Sequence, residues 1–345
     1  MKRIIRFSVL LLISVSLLCS CEGRLFSSSP ELKETTFFAM DTLISVRVPK
    51  GTPESVLDAC REETERLDAV FSRTDERSVT ASINKSAAGA DAGEEYCAVL
   101  STALLAAQIT EGAFDPTLAP LTELWNITGE NPTVPAPDAV AAALAETGYR
   151  HLSMNGTFVC KDMPALSIDL GGCAKGYACA RAVQLLSSAG VEYGIVSFGG
   201  NIGVIGQKED GSAWSVGVRD PDSRDGIAGI LSVRSGFLSV SGDYERYFEE
   251  DGVRYHHIFD SNTGYPAQSG VRSAAVWSED GTLADALSTA VFVMGWEKTM
   301  ALYESHLLSF EALLYLSDGT TVLTPGFADC YEHRSRSFSA PSAEN

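Results

Sequence analysis

The stretch SGDYERYFEEDGVRYHHIFDSNTGYP, residues 241–266, constrains the chain more than any other. Asp251-Gly252 lies at its centre, between two runs rich in aromatic and β-branched side chains. A two-residue type I′ turn needs φ > 0 at both central positions, which Asp-Gly adopts at little cost. A hairpin with that loop pairs Glu250 with Val253, Phe248 with Tyr255, Arg246 with His257 and Tyr244 with Phe259. Period-two alternation then places Tyr244, Arg246, Phe248, Tyr255, His257 and Phe259 on one face. Rings, a guanidinium and an imidazole on one surface suit a planar, phosphorylated ligand. Any half-buried aromatic strand shows the same alternation, so a plain core-facing hairpin fits as well. His256 and His257 alternate faces, so only one can point into a given site. The turn over residues 260–264 and Pro266 end the second strand.

Elsewhere, hairpin signals alternate with helical ones. Residues 37–48 alternate as a strand. Residues 53–71 carry Val56, Leu57, Cys60, Leu67, Val70 and Phe71 at helical spacing, with Thr52 as N-cap and Pro53 at N1. Further helices are expected over 94–110, 118–125, 136–147, 173–189 and 282–294, with a continuation over 299–306 after Gly295. Gly112, Gly148 and Gly190 stop three of them. Strands are expected over 157–160, 165–170, 193–198, 214–218, 229–233 and 237–240. A last hairpin, 313–316 with 321–323, turns at Ser317-Asp318-Gly319. This mixture implies an α+β fold with mixed, largely antiparallel sheets and packed helices, not a doubly wound parallel sheet. A ligand cleft between two closely associated subdomains is expected.

The 345 residues carry a net charge of −19, which argues against a nucleic-acid-binding surface. An anionic ligand must therefore be held by local donors or a metal ion, against the overall field. Residues 1–6 are basic and residues 7–18 form an apolar run too short for a comfortable membrane span. Leu18-Cys19-Ser20-Cys21 resembles a bacterial lipoprotein processing site, with Cys21 as the lipid-modified N-terminus. An ordinary secretory signal is the alternative. The expected organisation is a signal peptide at 1–20, a tether at 21–34, one domain at 35–326 and a polar tail at 327–345. Lipid anchoring places the domain at the extracytoplasmic face of a bacterial membrane. Cys60, Cys97, Cys160, Cys173, Cys179 and Cys330 show no metal-type spacing and read mostly as small buried hydrophobes.

Three segments carry chemistry. Ser167-Ile-Asp-Leu-Gly-Gly-Cys-Ala-Lys-Gly176 reads as strand, Gly-Gly turn and helix start. Glycines let backbone N–H groups approach a phosphate, the helix N-terminus adds partial positive charge, and Lys175 adds a full one. A tight turn with a solvated lysine fits the same residues. In Ala284-Asp-Ala-Leu-Ser-Thr-Ala290, Asp285 and Thr289 are i and i+4, so their oxygens share a helix face. With a nearby carbonyl they suit a hard cation such as Mg²⁺. A dipole-favoured Asp and a Thr bonded back to its own helix fit too. Asp169, Asp243, Asp260 and His257 complete the candidates, with His257 as a possible general base. Residues 199–203, Gly-Gly-Asn-Ile-Gly, read as a turn whose backbone faces a ligand or simply closes a loop.

FFAMDT, EGAFDPT, IDLGGCAKGYA, SFGGNI, SGDYERYF…RYHHIFDSNTGYP and ADALSTA occur in one order. Together they resemble the ApbE-type FAD:protein FMN transferases, from Phe37 to about Gly326. The resemblance implies an extracytoplasmic enzyme that cleaves FAD and joins FMN, through a phosphoester, to a Thr or Ser of an acceptor membrane redox protein. It implies flavin contact at Met40 and FAD contacts at Ala113, Phe114, Asp115, Asp169, Lys175 and Phe259. Thr74 stands where many members carry an aromatic residue against the flavin. It implies Mg²⁺ held by Gly172, Asp285 and Thr289, with Ser288 replacing an acidic ligand of some members. Lys175 and His257 are the expected catalytic side chains. An FAD pyrophosphatase and a non-catalytic flavin-binding lipoprotein are the alternatives.

Overall fold

The computed structural model describes residues 32–223, 226–334 and 337–338. The chain opens with a hairpin, β1 (Leu32–Ala39) and β2 (Thr42–Pro49), where one strand was expected over 37–48. Met40 and Asp41 break it, with φ of 52° and 56°. Left-handed backbone is unfavourable for such residues, and here it is supported by the Met40 N–H donating to Asp68 Oδ2 at 2.9 Å. β1 also takes in the last residues of the expected tether. Next come α1 (Glu54–Phe71), α2 (Val79–Lys85), β3 (Gly89–Asp91), α3 (Gly93–Ile109), α4 (Ala119–Trp125) and α5 (Pro137–Leu144). Pro53, not Thr52, is the N-cap residue of α1. β5 (Phe158–Lys161) pairs with both β3 and β4 (Leu152–Asn155) in a small sheet of order β3-β5-β4.

α6 (Ala174–Ser188) leads into β6 (Gly194–Phe198), β7 (Asn201–Ile205), β8 (Trp214–Arg219), β9 (Ile227–Val233) and β10 (Gly236–Gly242). The hairpin β11 (Tyr247–Glu250) and β12 (Val253–His256) precedes β13 (Val271–Ser278) and the long α7 (Gly281–Glu304). β14 (Glu311–Leu316), β15 (Thr320–Leu323), α8 (Pro325–Ala328), β16 (Tyr331–His333) and β17 (Ser337–Phe338) close the chain. The expected polar tail thus begins with structure: β16 pairs antiparallel with β9. Tyr331 packs against a core cluster there, which binds the segment to the domain.

The main sheet has the order β1-β2-β6-β7-β10-β13-β14-β15-β17 and is antiparallel up to its last, parallel pair. With helices on one of its faces, the fold is α+β. Alternation divides the side chains between two cores. Ala274, Val276, Ala312 and Leu314 join the helices of the first core, whereas Ala275, Leu313 and Tyr315 meet Trp214, Val216 and Leu231 of the β8–β9–β16 sheet in the second. β13 is buried on both faces and so lacks the period-two signature of a half-exposed strand.

The hairpin has the expected loop and register: Asp251 and Gly252 have φ of 51° and 77°, and Phe248 faces Tyr255. The ladder is shorter than expected but reaches the next pair, since the His257 N–H donates to the Arg246 carbonyl at 3.2 Å. Tyr244 and Phe259 do not pair; Phe259 bridges to Pro266 instead. The strand expected over 165–170 is also absent. Residues 166–170 form no ladder, only a bridge from Ser167 to Leu118 and a hydrogen bond from the Asp169 N–H to the Pro116 carbonyl. Asn84 replaces a neighbouring strand: its Nδ2 donates to the Ile168 carbonyl at 2.9 Å, and its Oδ1 accepts from the Ile168 N–H at 2.7 Å.

Candidate functional site

The site grows out of one close crossing between α6 and α7. A Cβ on Gly176 would lie 2.1 Å from the Gly281 carbonyl oxygen and 2.6 Å from Asp285 Cβ. Only glycine allows that approach. It lets the Gly176 N–H donate to Asp285 Oδ2 at 2.8 Å. One turn on, a Cβ on Gly172 would lie 3.7 Å from Thr289 Oγ1 and 3.0 Å from the Phe114 ring. Gly172 therefore lies against Thr289, one turn along α7 from Asp285, and Phe114 covers the glycine. Asp280 caps α7, its Oδ1 accepting from the Thr282 and Leu283 N–H groups.

Asp285 is 6% exposed. Burial raises its carboxyl above the usual range, and Lys175, the Gly176 N–H and Asn201 oppose the shift. Asn201 opens β7, inside the stretch read as a turn, and its Oδ1 accepts from Ser239 Oγ of β10. Ser241 Oγ lies 2.8 Å from Ser288 Oγ and 3.4 Å from Thr289 Oγ1. Ser288 Oγ donates to the Asp285 carbonyl at 2.8 Å. Carboxylate, hydroxyl and carbonyl oxygens thus crowd one corner. Such a donor set fits a hard cation, and a cation there would compensate a carboxylate that burial otherwise penalises. Among the described residues no three His, Cys, Asp or Glu side chains converge, so phosphate and water would have to complete the shell.

Lys175 Nζ donates to the Gly171 carbonyl at 2.5 Å, at the N-terminal end of α6. Asp169 lies at the edge of the corner, with Oδ1 accepting from the Gly171 N–H at 2.8 Å and Oδ2 3.3 Å from Arg73 Nε. Arg73 also binds Glu123 at 2.8 Å. Sequence reasoning missed it, because only the fold brings residue 73 beside residue 169. Thr74, next to it, is exposed, and its N–H donates to Ser72 Oγ at 3.2 Å.

His257 Nδ1 lies 3.3 Å from the Arg246 carbonyl oxygen. A carbonyl only accepts, so this contact requires the Nδ1–H tautomer and leaves the Nε2 lone pair free. Burial pushes the imidazole pKa down to about 3, and the charges of Arg246 and Lys175 add to the effect. His256 turns the other way. Its ring stands edge-on to Phe292 of α7 at 5.3 Å, and its Nε2 lies 3.1 Å from the Ala267 carbonyl.

Other expected site residues are committed to the scaffold. Asp115 Oδ1 accepts from the Thr117 N–H and Oγ1 at 2.8 and 2.6 Å, and Oδ2 from the Tyr149 N–H at 3.0 Å. Burial raises its pKa. The Ala113 N–H donates to the Thr110 carbonyl. Phe259 is 5% exposed, with its ring 6.0 Å from that of Trp125. Phe248 and Tyr255 continue this stack, so the aromatic part of the hairpin face enters a core cluster and only its Arg246–His257 end stays near the site. Met40 sits at the β1–β2 tip, where a Cβ on Gly199 would meet Thr42 Oγ1 at 2.6 Å; the tip stands beside the β6–β7 turn that leads to Asn201. Asp243 binds Arg272 at 2.5 Å and Arg254 at 3.5 Å, and Asp260 caps its own turn. The six cysteines among the described residues are free, and burial pushes the Cys60 thiol up to about 12, which suits a core residue rather than a nucleophile.

The ApbE family model matches residues 40–314. The FAD:protein FMN transferase of Treponema pallidum is 34% identical over 340 residues, spanning 91% of this chain and 93% of its own. That of Klebsiella pneumoniae is 30% identical, over 93% and 96% of the two chains. The ApbE protein of Thermotoga maritima superposes with a TM-score of 0.81 at 38% identity, covering 88% of this chain and 100% of that one. The flavin transferase ApbE of Vibrio cholerae gives 0.77 at 28%, over 87% and 99%. Its six ordered motifs, its fold and these matches agree, and this chain belongs to the ApbE family.

Proposed function

We propose that this protein transfers FMN from FAD to a Thr or Ser hydroxyl of an acceptor protein, releasing AMP. The observation that carries the reading is the meeting of Asp285 and Thr289 on α7 with the Gly172–Lys175 corner of α6. The names of the relatives support the substrate. Mg²⁺ held by Asp285, Thr289 and the Gly172 carbonyl would supply positive charge at the scissile phosphoanhydride. Lys175 and the amides of the glycine corner donate to oxygens of the transferred phosphoryl, where charge builds. The acceptor oxygen forms a bond to the FMN phosphorus as the bond to the AMP oxygen breaks. The proton of the acceptor hydroxyl passes to His257 Nε2, and AMP leaves with the bridging oxygen. The leader and Cys21 support lipid anchoring at the outer face of the cytoplasmic membrane, with a membrane redox protein as acceptor.

The test incubates purified protein with FAD, Mg²⁺ and a candidate acceptor. The expected result is AMP release only with acceptor present, matched by a gain of FMN mass on an acceptor Thr or Ser. Release without acceptor would make the protein an FAD pyrophosphatase, and no release would leave it a flavin-binding protein. Asp285→Asn keeps the side chain's shape and is expected to lower transfer roughly 100-fold or more with unchanged thermal unfolding. A fully active variant would remove the case for a cation at this corner.

A further inference from the structure

Arg246 and His257 face each other just outside β11 and β12. The His257 N–H donates to the Arg246 carbonyl at 3.2 Å, one step beyond the Tyr247–His256 pair. Residues directly opposite in an antiparallel pair share a face, so the guanidinium and the imidazole emerge on the same side. The root of the hairpin is fixed against α7, because His256 packs on Phe292 at 5.3 Å. Phe292 follows Thr289 by about one helical turn. The Arg246–His257 row is thus held beside the oxygen-lined corner by packing, while its tip projects outward.

The charges around Arg246 are unusual for so acidic a protein. Each carboxylate of the adjoining strand already has a partner. Glu245 binds Arg219 at 3.0 Å, Glu249 binds Arg254 at 3.2 Å, and Glu250 Oε2 accepts from the Val134 N–H at 3.3 Å. Asp243 is held by Arg272 and Arg254. Arg246 is exposed and takes none of them. The charge of Lys175 also bears on the His257 ring. Two cations whose charges both reach a neutral imidazole make this end of the hairpin favourable for an anion. An arginine there offers two parallel donors to phosphate oxygens.

We propose that Arg246 grips the diphosphate bridge of the FAD substrate from the hairpin side of the cleft, beside His257. The assignment rests on the transferase reading and adds a substrate-contacting residue outside the α6–α7 crossing. The test compares Arg246→Gln and Arg246→Lys with the wild type in binding of FAD, ADP and riboflavin, and in FMN transfer. Arg246→Gln is expected to weaken FAD and ADP about 10- to 100-fold, the range for a lost charge-assisted hydrogen bond. Riboflavin, which has no phosphate, should bind as before and so reports an intact fold. Arg246→Lys should recover part of the loss, and the KM for FAD should rise more than kcat falls. Unchanged FAD affinity in Arg246→Gln, or riboflavin weakening in step with FAD, would overturn the assignment while leaving the transferase reading intact. Wild-type protein that binds neither FAD nor ADP would overturn both.

Discussion

As the base of the proposed transfer, His257 must be a neutral imidazole, with its proton on Nδ1 toward the Arg246 carbonyl and Nε2 bare. Desolvation in the cleft, with Arg246 and Lys175 nearby, keeps its pKa at about 3 against an ordinary 6.5. It is therefore neutral across the physiological range and fully available as a base, though a weak one. The shift has a cost in stability, whose sign follows from proton counting. Between pH 6.5 and 3 the unfolded chain binds a proton at this position and the native state does not. This group's contribution is thus complete above pH 6.5 and declines as pH falls toward 3. Replacing it with Gln removes that term. We expect the unfolding free energy of His257→Gln, compared with wild type, to improve steadily from pH 7 to pH 4 in urea titrations, while FMN transfer is lost at every pH. A stability difference that does not change with pH would mean that the imidazole is not desolvated.

The α6–α7 crossing is what an element-level change should disturb most. Gly176→Ala would force a methyl to within 2.1 Å of the Gly281 carbonyl oxygen, and backbone there cannot step aside cheaply. The expected cost is about 1–3 kcal/mol, with loss of transfer as the helices part and Asp285 moves. Gly51→Ala, which meets nothing within 4 Å, is the control. Equal stability of the two variants in denaturant titrations would show that the crossing yields. This crossing was legible only in part. The Gly-Gly turn, the helix start and the Asp285–Thr289 face could be read locally, because each is set by backbone chemistry or helical spacing. That they meet could not, since it depends on two glycines distant in sequence. The hairpin register was legible because Asp251-Gly252 leaves a two-residue loop little choice. The false strand over 165–170 came from treating an extended apolar run as sheet; Asn84, remote in sequence, supplies its backbone bonds. Asn201 and Arg73 act on site carboxylates that no local pattern connects to them.

A molecule with a net charge of −19 that handles a doubly anionic substrate works against its own field, and only short-range donors can reverse that locally. Arg246 and Lys175, whose charges both reach His257, and the oxygen corner suited to a metal therefore serve one purpose. Such a cluster has to be delivered to an acceptor, and the leader bears on how. Cys21 and the residues up to β1 lie outside the described part of the chain. From residue 21 to Leu32 the backbone can span at most roughly 40 Å, so a lipid on Cys21 would hold the domain close to the bilayer surface. Each buried methylene of an acyl chain contributes about 0.8 kcal/mol, so two chains or more give a stable anchor and none gives no anchor. Cys21→Ser is expected to move the protein from the membrane to the soluble fraction on cell fractionation. Transfer to a soluble acceptor fragment in vitro should persist, because residue 21 precedes β1 and every site residue in the sequence, whereas flavinylation of a membrane acceptor in cells should fall. A Cys21→Ser protein that still sediments with membranes would place the attachment elsewhere in the chain.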